Sequence, residues 1–176
     1  MDFEEKPVAS GSIAQVYKAT LQDGVAFGRQ KGTMTVAIKV RHPGVTDVIW
    51  EAAHLSRFSY NFRSWRDVSF PRPVYLLVHP GVLVESFEQG ESVSNYIELS
   101  DNNQVSRKLA YIGTNTIMKM LLVDNFIHVD MHPDNILKAG SASLILISIR
   151  CTLQKLLLKQ NMAESLAYTI NAVMAP

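Results

Sequence analysis

The stretch Phe126-Ile127-His128-Val129-Asp130-Met131-His132-Pro133-Asp134-Asn135-Ile136-Leu137 decides how this chain is read. It follows an apolar, helix-like run and precedes an apolar, strand-like run from Ser143 to Ile149. Pro133 opposes a continuing helix, so the polar residues in between fall on a loop. A carboxylate and a carboxamide five residues apart on a loop can divide one task. Asp130 can orient an attacking hydroxyl or accept its proton. Asn135 can offer its side-chain oxygen to Mg²⁺ on nucleotide phosphates. That is the phosphotransferase division of labour, with the spacing H-x-D-x-x-x-x-N. The bland alternative is a polar turn between two buried elements, and the rest of the chain decides between them. His128 and His132 are expected to be structural: an HxxxH zinc pair needs a helix, which Pro133 opposes.

Working outward, Asn102 to Asn125 has the pattern of a core helix, with Val105, Leu109, Ile112, Thr116 or Ile117, Met120 and Val123 on one stripe. Downstream, Ile136-Leu137 begins a strand, Gly140-Ser141 turns, and Leu144 to Ile147 pairs back. Thr152 to Met174 reads as a further helix.

The N-terminal part is strand-rich. Ala9-Ser10-Gly11-Ser12 is a turn of small residues, a type of segment that lets backbone N–H groups approach phosphate oxygens. A strand starts near Ile13, and Asp23-Gly24 marks a turn. Thr35 to Val40 is a β-rich run expected to bury everything but Lys39, a lysine held either at an edge or for a charged partner. Asp47 to Phe62 has helical periodicity. Tyr75–Val78 and Val82–Val84 are expected as short strands around a His79-Pro80-Gly81 turn, with Glu85 to Gly90 a polar, flexible exit. Ser92 is placed to cap a short helix.

Composition bounds the rest. The chain has 176 residues, 47% hydrophobic and 19% charged, which is globular material. A formal net charge of +1 gives no argument for nucleic acid as a partner. A lone cysteine, Cys151, excludes an internal disulfide and a thiolate metal cluster. No uncharged apolar run is long enough to span a membrane. The first six residues, MDFEEK, read as neither signal nor transit peptide.

The segments PVASGSIAQVYKA, VAIKVRHPGV, EAAHLSRF and FIHVDMHPDNIL, in this order, closely resemble the UbiB family of atypical kinases, the AarF-domain-containing kinases. The resemblance covers roughly residues 6 to 138 and points to the branch associated with mitochondria and coenzyme Q metabolism. It implies a truncated, protein-kinase-like, two-lobed α+β fold. Residues 1-84 would form the N-lobe, 85-150 a partial C-lobe, and 151-176 a divergent helical tail. It implies ATP and Mg as cofactors. Ala9, Ser10, Gly11 and Ser12 would take the place of the phosphate loop, and Lys39 would act on the phosphates with Glu51 as its partner. Glu85 would lie in the hinge that holds the adenine, Asp130 and Asn135 would be catalytic, and Asn135 would hold the metal. Expected partners are a nucleotide and lipid or membrane-associated quinone-biosynthesis proteins. The expected place is the mitochondrion, with a plastid as alternative.

The departures from the family pattern matter equally. The family's KxGQ segment precedes the part of the sequence seen here. Several tens of residues that usually separate the HPGV turn from the Glu-Ala helix are reduced to Thr46–Trp50. Ser148 stands where the second metal ligand, an Asp, is expected, and Arg150 where Gly follows. A hydroxyl is a poor substitute for a carboxylate on Mg²⁺. The helical C-terminal half is replaced by the tail. A truncated isoform with little or no transfer is therefore expected. The alternatives are a pseudokinase that binds nucleotide or lipid, and a small-molecule phosphotransferase of the aminoglycoside or choline kinase type.

Overall fold

The computed structural model describes residues 2–11, 14–22, 24, 31–42, 48–96, 104–128, 131–140 and 143–146. Asp130, Ser148 and the tail from 151 lie outside them, as do Ser12 and Asp47. The described chain is a mixed α+β structure with two sheets. Its elements are β1 (Asp2–Phe3), β2 (Ala9–Ser10), β3 (Ala14–Leu21), β4 (Met34–Arg41), α1 (Val48–Asn61), β5 (Val68–Ser69), β6 (Val82–Ser86), β7 (Glu91–Ser92), α2 (Gln104–Met118), β8 (Ile136–Ala139) and β9 (Ser143–Leu146).

The first sheet has the order β1-β3-β4-β6, with β2 also paired to β3. Register determines which residues face which side, because side chains alternate along a strand. Lys39 stands opposite Val16 on β3 and Leu83 on β6, and Ala37 opposite Lys18 and Glu85. These residues share one face. The other face carries Ala19, Leu21, Val36, Ile38 and Val84, which pack with Val74 into a small core. Leu83, on the face of Lys39, joins the larger core with Ala52, Leu55 and Phe58 of α1. Helix α1 therefore covers the lysine side of the sheet.

Four local expectations need correction. Tyr75–Leu77 is a 3₁₀ turn, not a strand. Its Tyr75 hydroxyl bonds Ala52 O at 3.1 Å and lies 2.6 Å from Ser56 Oγ, which docks the turn on α1. The segment after Val84 is not a flexible exit at its start. Glu85 and Ser86 are buried within β6, where Pro73 bridges to Glu85 and the Arg72 amide donates to Ser86 Oγ at 2.9 Å. On β4, Val40 reaches solvent while Lys39 is largely enclosed. Along α2 and the turn that follows it, Leu109, Ile112, Thr116 and Met120 point inward, but Val123 is 75% exposed. The cause is a π-helical turn over Lys119–Val123, closed by Asp124 N–H to Lys119 O at 3.0 Å. The wider turn inserts a residue and rotates Val123 out of the stripe.

The second sheet has the order β5-β9-β8-β7, with β5 parallel to β9. Gly140, at φ 53°, makes the β8–β9 turn. The larger core draws on both sides of residue 84, from Phe62, Val68 and Phe70 to Leu109, Phe126, Ile136 and Leu146. Among the described residues, no helix is long and apolar enough to cross a membrane.

Candidate functional site

Lys39 is the centre of the described site. Its side chain is 13% exposed, and its ammonium lies 2.8 Å from Glu85 Oε1 and 3.7 Å from Glu51 Oε1. The Glu85 side chain is 3% exposed and that of Glu51 16%. The sequence expectation pairs Lys39 with Glu51, and the structure does bring them together. The nearer contact, however, is with Glu85, which was expected at an adenine hinge. Two strands away in sequence, β4 and β6 align so that Glu85 is a diagonal neighbour of Lys39 on one face.

The electrostatics follow from three charges sharing one buried place. Burial opposes a charged Lys39, but Glu85 and Glu51 together outweigh it and hold the ammonium above its ordinary value. Burial pushes the Glu85 carboxyl up, against the pull of Lys39, and Glu51 and Glu88 add to the rise. One lysine shared between two carboxylates is well satisfied, while Glu85 keeps only a share of it. Glu85 Oε2 is buried with no hydrogen-bond partner.

The small-residue segment is partly strand. Ala9 and Ser10 form β2, exposed and paired to Val16 and Gln15. Val16 also pairs with Lys39, so Ala9 and Lys39 flank the same β3 residue. Gly11 starts the turn, with its N–H to Ala14 O at 3.0 Å, while Ser12 lies outside the described residues. A Cβ added at Gly11 would meet only Ala14 O at 3.9 Å, so no packing within the described chain demands glycine there.

Two neighbours were not foreseen. His42 Nε2 lies 3.2 Å from Gly11 O, tying the end of β4 to the turn. Arg41 shares the face of Lys39, two residues on, and its Nη1 is buried without a hydrogen bond. The period of two along β4 was the signal that could have found Arg41.

The residues expected in a catalytic loop are only partly described. Asn135 ends a 3₁₀ turn, Pro133–Asn135, and is half-buried. His132 is exposed and caps this turn: its Nδ1 accepts from Asp134 N–H at 3.3 Å. Asp134 is engaged by the Ser94 hydroxyl. His128 is buried, 6.1 Å from the Phe58 ring, so the two histidines lie in different surroundings. Phe58 also meets Phe126 at 4.5 Å. Phe58 lies two turns along α1 from Glu51, on the same face. Helix α1 thus touches both Lys39 and the segment that leads into Asp130.

Comparison with known proteins gives a consistent likeness. The model of the ABC1 atypical kinase-like domain matches residues 1–50 and 46–172. The two pieces meet at the shortened connection, and the second runs beyond residue 138, where the resemblance drawn from the motifs ends. A Dictyostelium discoideum protein described as a probable serine/threonine-protein kinase, abkC, is 35% identical over 77% of this chain and 24% of its own length. A mitochondrial ABC1 family protein of Schizosaccharomyces pombe is 30% identical, over 78% of this chain and 29% of its own length. The chain spans about a quarter to a third of the curated relatives it matches. Among solved structures, Mycobacterium tuberculosis Rv3197, solved with erythromycin, is 20% identical, with a TM-score of 0.60 over 84% of this chain and 45% of that one. That likeness concerns the fold.

Proposed function

The chain belongs to the ABC1 atypical kinase-like family, and on that premise we propose that it binds ATP with Mg²⁺ on the Lys39 face of the first sheet. The observation that carries this reading is the enclosed Lys39, held by two carboxylates on a strand beside the small-residue turn. A lysine so placed fits a phosphate group by charge and by its three donors. Lys39 would bind the phosphates, Glu51 would orient Lys39, and Ala9, Ser10, Gly11 and Ser12 would cover the phosphates. Asp130 would orient the attacking hydroxyl, and Asn135 would hold Mg²⁺. When bound, the ion neutralises charge on the phosphates. The described residues supply Asn135 alone toward that ion. Ser148 in place of a carboxylate supports a chain that binds nucleotide but turns it over poorly, a pseudokinase-like behaviour. A mitochondrial setting is supported by the mitochondrial relatives, and a part in lipid or ubiquinone metabolism follows from the family resemblance of the motifs alone.

The test is equilibrium binding of MgATP, followed by a hydrolysis assay. Saturable binding is expected, weakened about tenfold or more in Lys39→Ala. The same is expected in Lys39→Met/Glu85→Leu, which leaves no buried carboxylate unpaired at position 85. Unaltered affinity in both variants removes Lys39 from the site. Hydrolysis is expected to be no faster than in Asp130→Asn, and Ser148→Asp alone should not restore it. Robust Mg²⁺-dependent hydrolysis abolished by Asp130→Asn would overturn the inactive reading.

A further inference from the structure

Glu85 has a role that the nucleotide reading does not use. One ammonium faces two carboxylates of the described residues, and Glu85 is the nearer, at 2.8 Å against 3.7 Å for Glu51. With one positive and two negative charges, the trio is net negative, which opposes the approach of a polyanion. The Glu85 backbone is fixed from both sides, by Ala37 of β4 and by the bridge to Pro73. It cannot withdraw without breaking the edge of the sheet. The long side chain of Lys39 is the part that can move.

We propose that Glu85 is an internal competitor for Lys39, occupying the ammonium that a phosphate needs, so that Glu85 sets the affinity of the site for its nucleotide. The proposal rests on the reading of Lys39 as the phosphate-binding lysine. When Lys39 turns to phosphate, Glu85 is left buried with both oxygens uncompensated. A carboxylate in that position takes up a proton rather than remain charged. The charged groups facing it agree: Lys39 on β4 would have left, while Glu51 on α1 and Glu88 on the exit of β6 both repel its negative form. Burial already holds the Glu85 carboxyl above its ordinary value while Lys39 is beside it, and the departure of Lys39 moves it further in the same direction. Nucleotide binding is therefore coupled to proton uptake at Glu85. Glu51, at the longer distance, keeps its hold on Lys39 throughout.

The experiment is calorimetric titration of the full chain with MgATP, in two buffers of different ionisation enthalpy. Four proteins are compared: wild type, Glu85→Gln, Glu51→Gln and Lys39→Ala. Glu85→Gln should bind about tenfold more tightly, the effect of removing one charge-assisted competitor, while Glu51→Gln should not tighten binding. The wild type should take up protons on binding, seen as buffer-dependent heat, and Glu85→Gln should not. If Lys39→Ala weakens binding but Glu85→Gln leaves it unchanged or weaker, the competitor role fails and the nucleotide reading survives. If Lys39→Ala binds as the wild type does, the nucleotide reading fails and takes this inference with it. Should Glu85→Gln not fold, the wild type alone decides: equal heats in both buffers overturn the proposal.

Discussion

Lys39 and Glu85 form a pair whose removal from one side only is expected to be severe. Lys39→Met leaves two carboxylates buried together and should lower stability by about 3–5 kcal/mol. Adding Glu85→Leu should recover most of that loss, because an apolar side chain has no charge to desolvate. Urea denaturation of both proteins measures it, and equal midpoints would contradict it. His54 carries a second prediction. It is buried, with Nε2 unbonded and its ring against Phe126 at 5.4 Å. Burial, with the nearby Arg57 guanidinium, depresses its pKa, so the folded chain favours the neutral ring. A depressed folded value means that stability is full above the ordinary histidine range and is lost as pH falls through it. His54→Phe should flatten the dependence of the urea midpoint on pH between about 5 and 8. An unchanged slope would assign that acid sensitivity elsewhere.

At the scale of elements, the end of α2 shows how a chain is delivered to a site. The π turn is closed by Asp124, whose carboxylate takes both bonds from Lys119 Nζ at 2.7 Å. Asn125 then adopts φ 45°, and Phe126 N–H returns to Met120 O at 3.1 Å. Asparagine tolerates the left-handed region, glycine prefers it, and β-branched residues resist it. Asn125→Gly should be neutral or stabilising by up to about 1 kcal/mol, and Asn125→Val destabilising by roughly 1–3 kcal/mol, read by thermal melts. At the other sheet, Gly90 has no room for a side chain. An added Cβ would lie 2.7 Å from Lys138 O and 2.9 Å from Leu137 Cβ. Gly90→Ala must therefore push β7 from β8, at about 1–3 kcal/mol. A melting temperature equal to that of the wild type would show that β7 yields freely.

At the scale of the whole molecule, one core joins the halves. Phe58 is fully buried, stacks on Phe70 at 5.1 Å and meets Phe126 at 4.5 Å with its ring tilted, linking α1 to the segment that precedes Asp130. Phe58→Ala should cost about 3–5 kcal/mol and should weaken nucleotide binding with it, since α1 also carries Glu51. Full affinity in a folded Phe58→Ala would separate the core from the site. The longer strands β3, β4, β6, β8 and β9, the helices α1 and α2 and the order of the kinase-like motifs were legible in the sequence, while the two-residue strands β1, β2, β5 and β7 were not. Periods of two and of 3.6, with Gly and Pro at the breaks, are local properties of the chain. The pairing of Lys39 with Glu51 was legible only through the family resemblance. Tertiary features, too, escaped local reading. The 3₁₀ turn at Tyr75 exists because its hydroxyl docks on Ala52 and Ser56 of a separate helix. The outward Val123 follows from the change of helical pitch over Lys119–Val123. Glu85 reaches Lys39 because β4 and β6, far apart in sequence, adopt one particular register. Local sequence determined where the longer strands and helices form and most of the residues that line them. Tertiary packing alone decided which charges meet, because register and docking are fixed by the burial of side chains distant along the chain.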